Sequence, residues 1–240
     1  NAATDVLAKQ RDIVDHIQKT HRVPTTAHLT CVLHTKNEIK SILQEMKDRG
    51  IDHVLALRGD PPRDNPNWQP GLENFKYSYE LVGFIRQYFG SYFKIGVAGF
   101  PEGHLLAENR DKDALYLKSK IDAGADFVIT QLFFNNQDYF DYVARLRNIG
   151  VTKKIFPGIL PITDYNGLIR FCSVCGATIP QEVHDIFKPI ADNPEKTIEA
   201  GIKFAVQQCQ ELLSKGAPGL HFYTLNKISP TDIILNQIRP

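Results

Sequence analysis

The sequence predicts an α/β fold built on a parallel sheet, a (β/α)8 barrel with six of its eight strands in this chain. Three observations carry that expectation. Apolar runs of strand length alternate with amphipathic helical stretches along the chain, the pattern of strands joined by helical crossovers. The clearest run, Val54-Leu55-Ala56-Leu57 after His53, is continuously apolar, as a strand buried on both faces requires. Nearly every such run ends in polar or special residues: His28 and Cys31, Arg58 and Asp60, Glu102 and His104, Gln131, Pro161, Thr224 and Asn226. A barrel gathers all its strand ends at one mouth, whereas an open sheet binds ligands at a single switch point, so the barrel is favoured.

The elements follow in order. Val6, Leu7, Ile13, Val14 and Ile17 lie at helical spacing over 4–19. A strand is expected at 25–31. Thr35-Lys36-Asn37-Glu38 reads as a capping box opening a helix with the stripe Ile39, Ile42, Leu43 and Met46, closed at Gly50. The strand at 53–59 comes next, then Pro61, Pro62 and a polar loop to 76 that contains the only tryptophan, Trp68. A loop of that length in a compact domain is often functional. A helix at 77–89 turns Leu81, Val82, Ile85 and Tyr88 inward. Strands are expected at 94–100 and 127–134, with a helix at 109–123 between them. An aromatic-rich helix covers 136–148. Residues 154–160 are strand-like despite Pro157, which suggests a bulge. Three helical pieces cover 163–174, 180–190 and 194–214. A last strand at 219–225 and a helix at 230–238 end the chain.

Composition excludes several classes. The 240 residues are 42% apolar with a net charge of +1, enough for one sizeable core and a single domain over 1–240. The balanced charge speaks against nucleic acid, and no apolar run reaches the length of a membrane span. Four cysteines make no disulfide framework, and no signal-peptide pattern opens the chain, so a cytoplasmic setting is expected. No glycine-rich nucleotide loop is present.

Individual motifs have plain readings beside the functional ones. His28, Cys31 and His34 could suggest a metal, but a strand puts His28 and Thr30 on one face and Leu29 and Cys31 on the other, so no metal site is expected. Cys172-Ser173-Val174-Cys175 spells a redox pair, yet at the end of an amphipathic helix it reads first as two structural thiols. Gln131 is the sharpest residue. An amide inside Val-Ile-Thr-Gln-Leu-Phe-Phe needs partners, and its donor and acceptor suit the edge of a heterocycle.

Six segments taken together, His-Leu-Thr-Cys (28–31), Ala-Leu-Arg-Gly-Asp-Pro (56–61), Val-Ala-Gly-Phe-Pro-Glu-Gly-His (97–104), the run 122–134, Pro-Gly-Ile-Leu-Pro (157–161) and His-Phe-Tyr-Thr-Leu-Asn (221–226), closely resemble the methylenetetrahydrofolate reductase family. The resemblance implies a (β/α)8 barrel carrying FAD at its strand ends. It implies reduction of methylenetetrahydrofolate to methyltetrahydrofolate by NADH or NADPH, in a ping-pong transfer that serves methionine biosynthesis. The partners implied are these small molecules and further copies of the chain in a homo-oligomer.

By motif position, the resemblance assigns flavin contacts to His28, Arg58, Gly59, Asp60, Tyr77, Ser78, Phe100, His104, Asp113, Tyr116, Ser119 and Lys120. It assigns folate or nicotinamide contacts to Asp60, Gln131, Phe171 and Lys227, with Asp60 as the catalytic residue. Phe100 stands where the family has tyrosine, Lys227 where arginine is common and Gly167 where glutamine is frequent. The family's opening Phe-Glu-Phe-Phe-Pro-Pro strand, with its acidic proton donor, is not in the chain, so a fragment starting after the second strand is expected. The alternatives are a folate- or pterin-binding barrel subunit, or a methyltransferase domain without flavin chemistry.

Overall fold

The computed structural model describes residues 2–61, 65 and 67–239, with side chains from Asp12 onward. The expected contacts of Val6 and Leu7, and the turn at Pro62, lie outside the described residues. The chain begins with α1 (Ala2–His21), β1 (Thr26–Thr30), α2 (Lys36–Asp48), β2 (His53–Leu57), α3 (Ser78–Phe89), β3 (Lys94–Gly99) and α4 (Arg110–Asp122). It continues through β4 (Phe127–Leu132), α5 (Asn136–Asn148), β5 (Lys154–Ile159), α6 (Tyr165–Cys175) and α7 (Gln181–Phe187), which runs on into a short 3-10 turn. It ends with α8 (Pro194–Ser214), β6 (His221–Phe222) and α9 (Thr231–Ile238).

The strands follow one another in the sheet in chain order, β1-β2-β3-β4-β5-β6. The pairs β1–β2, β2–β3 and β5–β6 are parallel. A doubly wound sheet reverses its order at a switch point, and this one does not, so the α/β class and the barrel-type succession expected from the sequence hold. The chain divides into two compact units, residues 1–98 with 117–128, and residues 99–116 with 129–240.

In the first unit β2 is the inner strand. Val54, Leu55 and Ala56 are all buried, so both of its faces are covered, as its unbroken apolar run requires. The ladder to β1 continues beyond the assigned strand ends: Cys31 N–H donates to Leu57 O at 3.1 Å and Val32 N–H to Arg58 O at 2.9 Å. Thr35 and Glu38 form the expected capping box of α2, and Ile39, Ile42, Leu43 and Met46 are buried beneath it. In α3, Leu81, Val82 and Ile85 face inward. Tyr88 does not; it is 47% exposed, leans on Phe84 and carries the Lys40 ammonium 4.1 Å from its ring centre. Its apolar body satisfied the helical period, but a tyrosine can cover a neighbouring ring and hold a cation at the surface instead.

Arg86, on the inner side of α3, gathers the loop ends of this unit. Its guanidinium donates to Gly124 O at 2.9 and 2.8 Å, to Gly90 O at 3.1 Å and to Phe93 O at 2.8 Å. It also pairs with Asp126 at 2.6 Å, whose same oxygen accepts Ile95 N–H at 2.8 Å. One side chain thus satisfies carbonyls at the end of α3, the start of β3 and the end of α4.

Gly83 sits inside α3, and a methyl group added there meets no atom within 4 Å. Gly83→Ala is therefore expected to stabilise the protein by about 0.5–1 kcal/mol, through the entropy glycine loses in a helix. A shift of the urea midpoint checks this, and no gain would mean that α3 needs a glycine for another reason.

The second unit has a core of Leu132, Phe134, Leu160, Ile162, Tyr165, Leu168, Cys172, Val183 and Phe187. α5 starts at the Asn135 cap and buries Tyr139, Tyr142 and Leu146. α6 starts at the Asp164 cap, and Gly176 ends it in the left-handed conformation, at φ 75°. α8 opens on the Asn193 cap with Pro194 at its first position.

The last strand is shorter than expected, two residues rather than seven. Extended geometry cannot run through Gly219 at φ 152°, and Leu225 and Asn226 take φ values of 49° and 61°. What holds the segment is a latch. Tyr223 N–H bonds Ile159 O at 2.8 Å, and the Tyr223 hydroxyl donates to Thr130 O at 2.8 Å. The buried Thr130 hydroxyl in turn accepts Gly158 N–H at 2.9 Å.

Candidate functional site

The residues singled out from the sequence fall into both units, at strand ends and along α3, α4 and α6. In the first unit, β1 alternates as expected, with Ala27, Leu29 and Cys31 buried, His28 exposed and Thr30 half-buried. The side chains at 28 and 31 therefore point apart. Beyond β2, Arg58 and Gly59 are half-buried and Asp60 is exposed. Arg58 Nε donates to Gly59 O at 3.3 Å.

Gly59 is left-handed, at φ 82°, and a methyl group there would lie 2.5 Å from Val32 Cγ1 and 3.1 Å from Thr30 Cβ. The turn after β2 thus requires glycine for its conformation and for its close approach to the end of β1. Gly59→Ala is expected to cost about 1–3 kcal/mol from strain and overpacking. Chemical denaturation reads this directly, and a loss below about 0.5 kcal/mol would show that the turn relaxes freely.

Tyr77 and Ser78 begin α3. Ser78 is buried at its first position, while Tyr77 is 43% exposed and stacks on Tyr79 at 5.8 Å. Glu80 closes the turn by accepting Lys76 N–H at 2.7 Å and Tyr77 N–H at 3.3 Å. On α4, Ser119 is exposed, and the Lys120 ammonium donates to Ala98 O at 3.0 Å, tying the helix to β3.

In the second unit, Phe100 and His104 meet edge to face, ring centres 4.6 Å apart at 88°. Phe100 N–H is held by the buried Tyr142 hydroxyl at 3.3 Å. His104 Nδ1 accepts Leu106 N–H at 3.0 Å, so the neutral ring carries its proton on Nε2. Asp113 is buried and Tyr116, one turn on along α4, is 53% exposed. Asn109 caps those turns, its side chain accepting Asp111 N–H at 3.1 Å and Lys112 N–H at 2.9 Å.

Gln131 is half-buried in β4. Its Oε1 folds back to accept Leu132 N–H at 3.0 Å, which leaves its Nε2 without a partner among the described residues. Phe171, on α6, is 39% exposed, and Lys227 is exposed in the loop after β6. No hydrogen bond joins Gln131, Phe171 and Lys227 to one another among the described residues.

Two features go beyond the sequence reading, which has Glu102 only as a polar strand end and does not foresee a concavity on α6 and α7. Glu102 is half-buried, and its carboxylate accepts Thr178 N–H at 3.2 and 3.0 Å, pinning the loop after α6. Burial raises its pKa, and the bonds from Thr178 offset part of that rise. A glutamate between proline and glycine offers no periodic signal. The second feature is a concavity of 610 Å³ lined by Tyr165, Asn166, Ile169, His184 and Lys188, among others. Tyr165 and His184 share a hydrogen bond of 2.7 Å there. The described residues contain no group of three or more potential metal ligands, and no helix among them is long and apolar enough to cross a membrane.

A family model described as methylenetetrahydrofolate reductase matches residues 1–239. The chain is 37% identical over 226 residues to "Methylenetetrahydrofolate reductase 1" of Schizosaccharomyces pombe, covering 94% of this chain and 37% of that protein. It is 38% identical over 224 residues to "Methylenetetrahydrofolate reductase (NADH) 1" of Arabidopsis thaliana, covering 90% of this chain and 38% of the other. It thus spans well under half the length of these relatives. Among solved structures, an uncharacterized protein from Clostridium thermocellum, described as binding two copies of 5-methyl-5,6,7,8-tetrahydrofolic acid, superposes with a TM-score of 0.61 at 17% identity. That match covers 93% of this chain and 76% of the other, and it shows a shared fold.

Proposed function

The chain belongs to the methylenetetrahydrofolate reductase family, and from that membership we propose that it is the flavin-dependent catalytic domain, residues 1–240, of an enzyme reducing methylenetetrahydrofolate to methyltetrahydrofolate with NADH or NADPH. The observation that supports it best is Gln131. A half-buried amide keeps its acceptor on its own backbone and leaves its donor unpaired among the described residues, which suits a ligand whose edge accepts a hydrogen bond.

The residues present fit FAD. Gly59 lets the turn that carries the Arg58 cation close against the end of β1, its missing Cβ facing Val32 and Thr30. FAD, when bound, would supply the hydride-transfer chemistry that links reduced nicotinamide and folate. His28, Arg58, Gly59, Asp60, Tyr77, Ser78, Ser119 and Lys120 would hold it; Phe100, His104, Asp113 and Tyr116 are assigned to the same group by the family resemblance alone. Arg58 and Lys120 would offer positive charge to a pyrophosphate. Lys120 would do so from a fixed position, because its ammonium is anchored on the Ala98 carbonyl.

Asp60, exposed beyond β2, would lower the energy of positive charge developing on the folate. Gln131 would orient the pterin edge, the exposed Phe171 ring would stack on either substrate, and Lys227 would face the folate. We place the enzyme in the cytoplasm, in one-carbon metabolism leading to methionine, as a homo-oligomer.

Purification of the full-length protein tests the reading. It is expected to carry flavin absorbance that bleaches anaerobically on addition of NADH or NADPH and returns with methylenetetrahydrofolate. A protein that binds folate but carries no flavin, or a flavin that reduced nicotinamide leaves coloured, would overturn it.

A further inference from the structure

We propose that Cys172 and Cys175 form an oxidisable dithiol, a modification site whose reactant is a hydroperoxide and whose product is an internal disulfide across the last turn of α6. The pair lies at i and i+3 on one helix, where ideal geometry puts the Cα atoms about 5 Å apart, inside the range a disulfide spans. The Cys175 thiol donates to the Cys172 carbonyl oxygen at 3.9 Å, which fixes its sulfur over the turn that carries Cys172. Their exposure differs in the useful sense: Cys175 is half-buried and accessible, whereas Cys172 sits in the core of the second unit. That division matches an attacking thiol with a resolving thiol behind it.

The surroundings set which sulfur attacks. The neighbouring Cys172 favours the charged form of Cys175, and after the left-handed Gly176 the chain turns so that the Ala177 amide does the same. Together they pull the Cys175 pKa down, against the opposing effects of burial and of the nearby Glu102 carboxylate. Cys172 is pushed upward by Cys175 beside it and by burial. The carbonyl end of α6 also opposes a thiolate, so Cys172 and the Ala177 amide are what sustain it. Tyr223 is the other titratable neighbour and stays protonated, its pKa raised to about 12. The remaining cysteines differ in kind. Cys31 and Cys209 are fully buried, and burial raises their thiols to about 11 and about 12.

The chemistry balances in two steps. The Cys175 thiolate attacks one peroxide oxygen, the O–O bond breaks, and the departing hydroxide takes a proton to become water. Cys175 is then a sulfenic acid, two electrons more oxidised. Cys172 attacks that sulfur and its proton passes to the leaving oxygen, so the S–S bond forms, the S–O bond breaks and a second water departs. With hydrogen peroxide as the oxidant, two thiols and one peroxide yield one disulfide and two waters.

Hydrogen peroxide and differential alkylation test this on the full-length protein. Before oxidation at pH 7, iodoacetamide should label Cys175 more than about tenfold faster than Cys31 or Cys209, as its thiolate fraction dictates. After peroxide, the peptide containing both Cys172 and Cys175 should resist alkylation and lose two hydrogens in mass, and dithiothreitol should restore it. Cys175→Ser should abolish the bridge, and Cys172→Ser should leave a sulfenic acid that dimedone traps at Cys175. If a variant fails to fold, the wild-type digest alone decides. Full alkylation of both thiols after peroxide, or labelling of Cys175 as slow as that of Cys31, would overturn the proposal.

Discussion

Replacement of Gln131 by alanine is expected to lower kcat/KM for the folate about 10- to 100-fold, the effect of losing one or two hydrogen bonds to a ligand in a half-buried site. The reduced-nicotinamide half-reaction should change far less, because an amide that holds a pterin edge does nothing for hydride donation by a different ring. One further observation sharpens this. The Oε1 of Gln131 already accepts Leu132 N–H, so the orientation of the amide is set before any ligand arrives. A preset donor loses little entropy on binding, which is why its removal should register fully. Gln131→Glu offers a contrast: it keeps the acceptor for Leu132 but replaces the donor with charge, so it should bind a pterin acceptor at least as poorly as the alanine variant. Stopped-flow measurement of the two half-reactions separates these effects. Equal losses in both half-reactions, or a loss of flavin instead, would remove Gln131 from folate recognition.

The second large effect concerns stability. Arg86→Ala should cost about 3 kcal/mol or more, because it strands several partly buried partners at once. The carbonyls of Gly90, Phe93 and Gly124 lose their donor, and Asp126 loses its counter-ion at 2.6 Å. Asp126 would still accept Ile95 N–H, but as an uncompensated charge. Arg86→Lys should recover only part of this, since one ammonium cannot present the fork that reaches three carbonyls and a carboxylate together. Urea denaturation monitored by circular dichroism measures both variants. A cost under about 1 kcal/mol for the alanine variant would show that water replaces the guanidinium at those carbonyls.

Much of this architecture was legible because burial leaves a periodic trace. The unbroken run of β2, the stripe of α2 under its capping box and the three helical pieces after β5 were all readable from apolar spacing and caps. Tyr88 was misplaced because periodicity records apolar bulk and cannot tell a buried ring from one that shields Phe84 and holds Lys40. The final strand was overextended because His-Phe-Tyr-Thr-Leu reads as β-rich, while the positive φ values at Leu225 and Asn226 depend on the turn around them. Arg86 left no trace at all: an arginine on a helix reads as solvated until distant carbonyls converge on it.

The same division holds for the candidate site. Strand-end positions were legible for Arg58, Gly59, Phe100 and Gln131, and the resemblance named their partners. The carbonyl tether of Lys120 and the Thr178 contact of Glu102 depend on tertiary placement, and no local pattern announces them.

The latch at Tyr223 bears on motion. A strand of two paired residues contributes few rungs, so much of the registration of the chain's last segment rests on one phenol reaching Thr130. Such a segment opens at a free energy well below that of global unfolding. Amides at 220–227 should therefore exchange with solvent through local excursions while β4 and β5 stay closed. The loop bearing Lys227 inherits that freedom. Under the proposed function, that freedom would let the loop settle differently around a nicotinamide and around a folate without disturbing the strands that hold Gln131 in place.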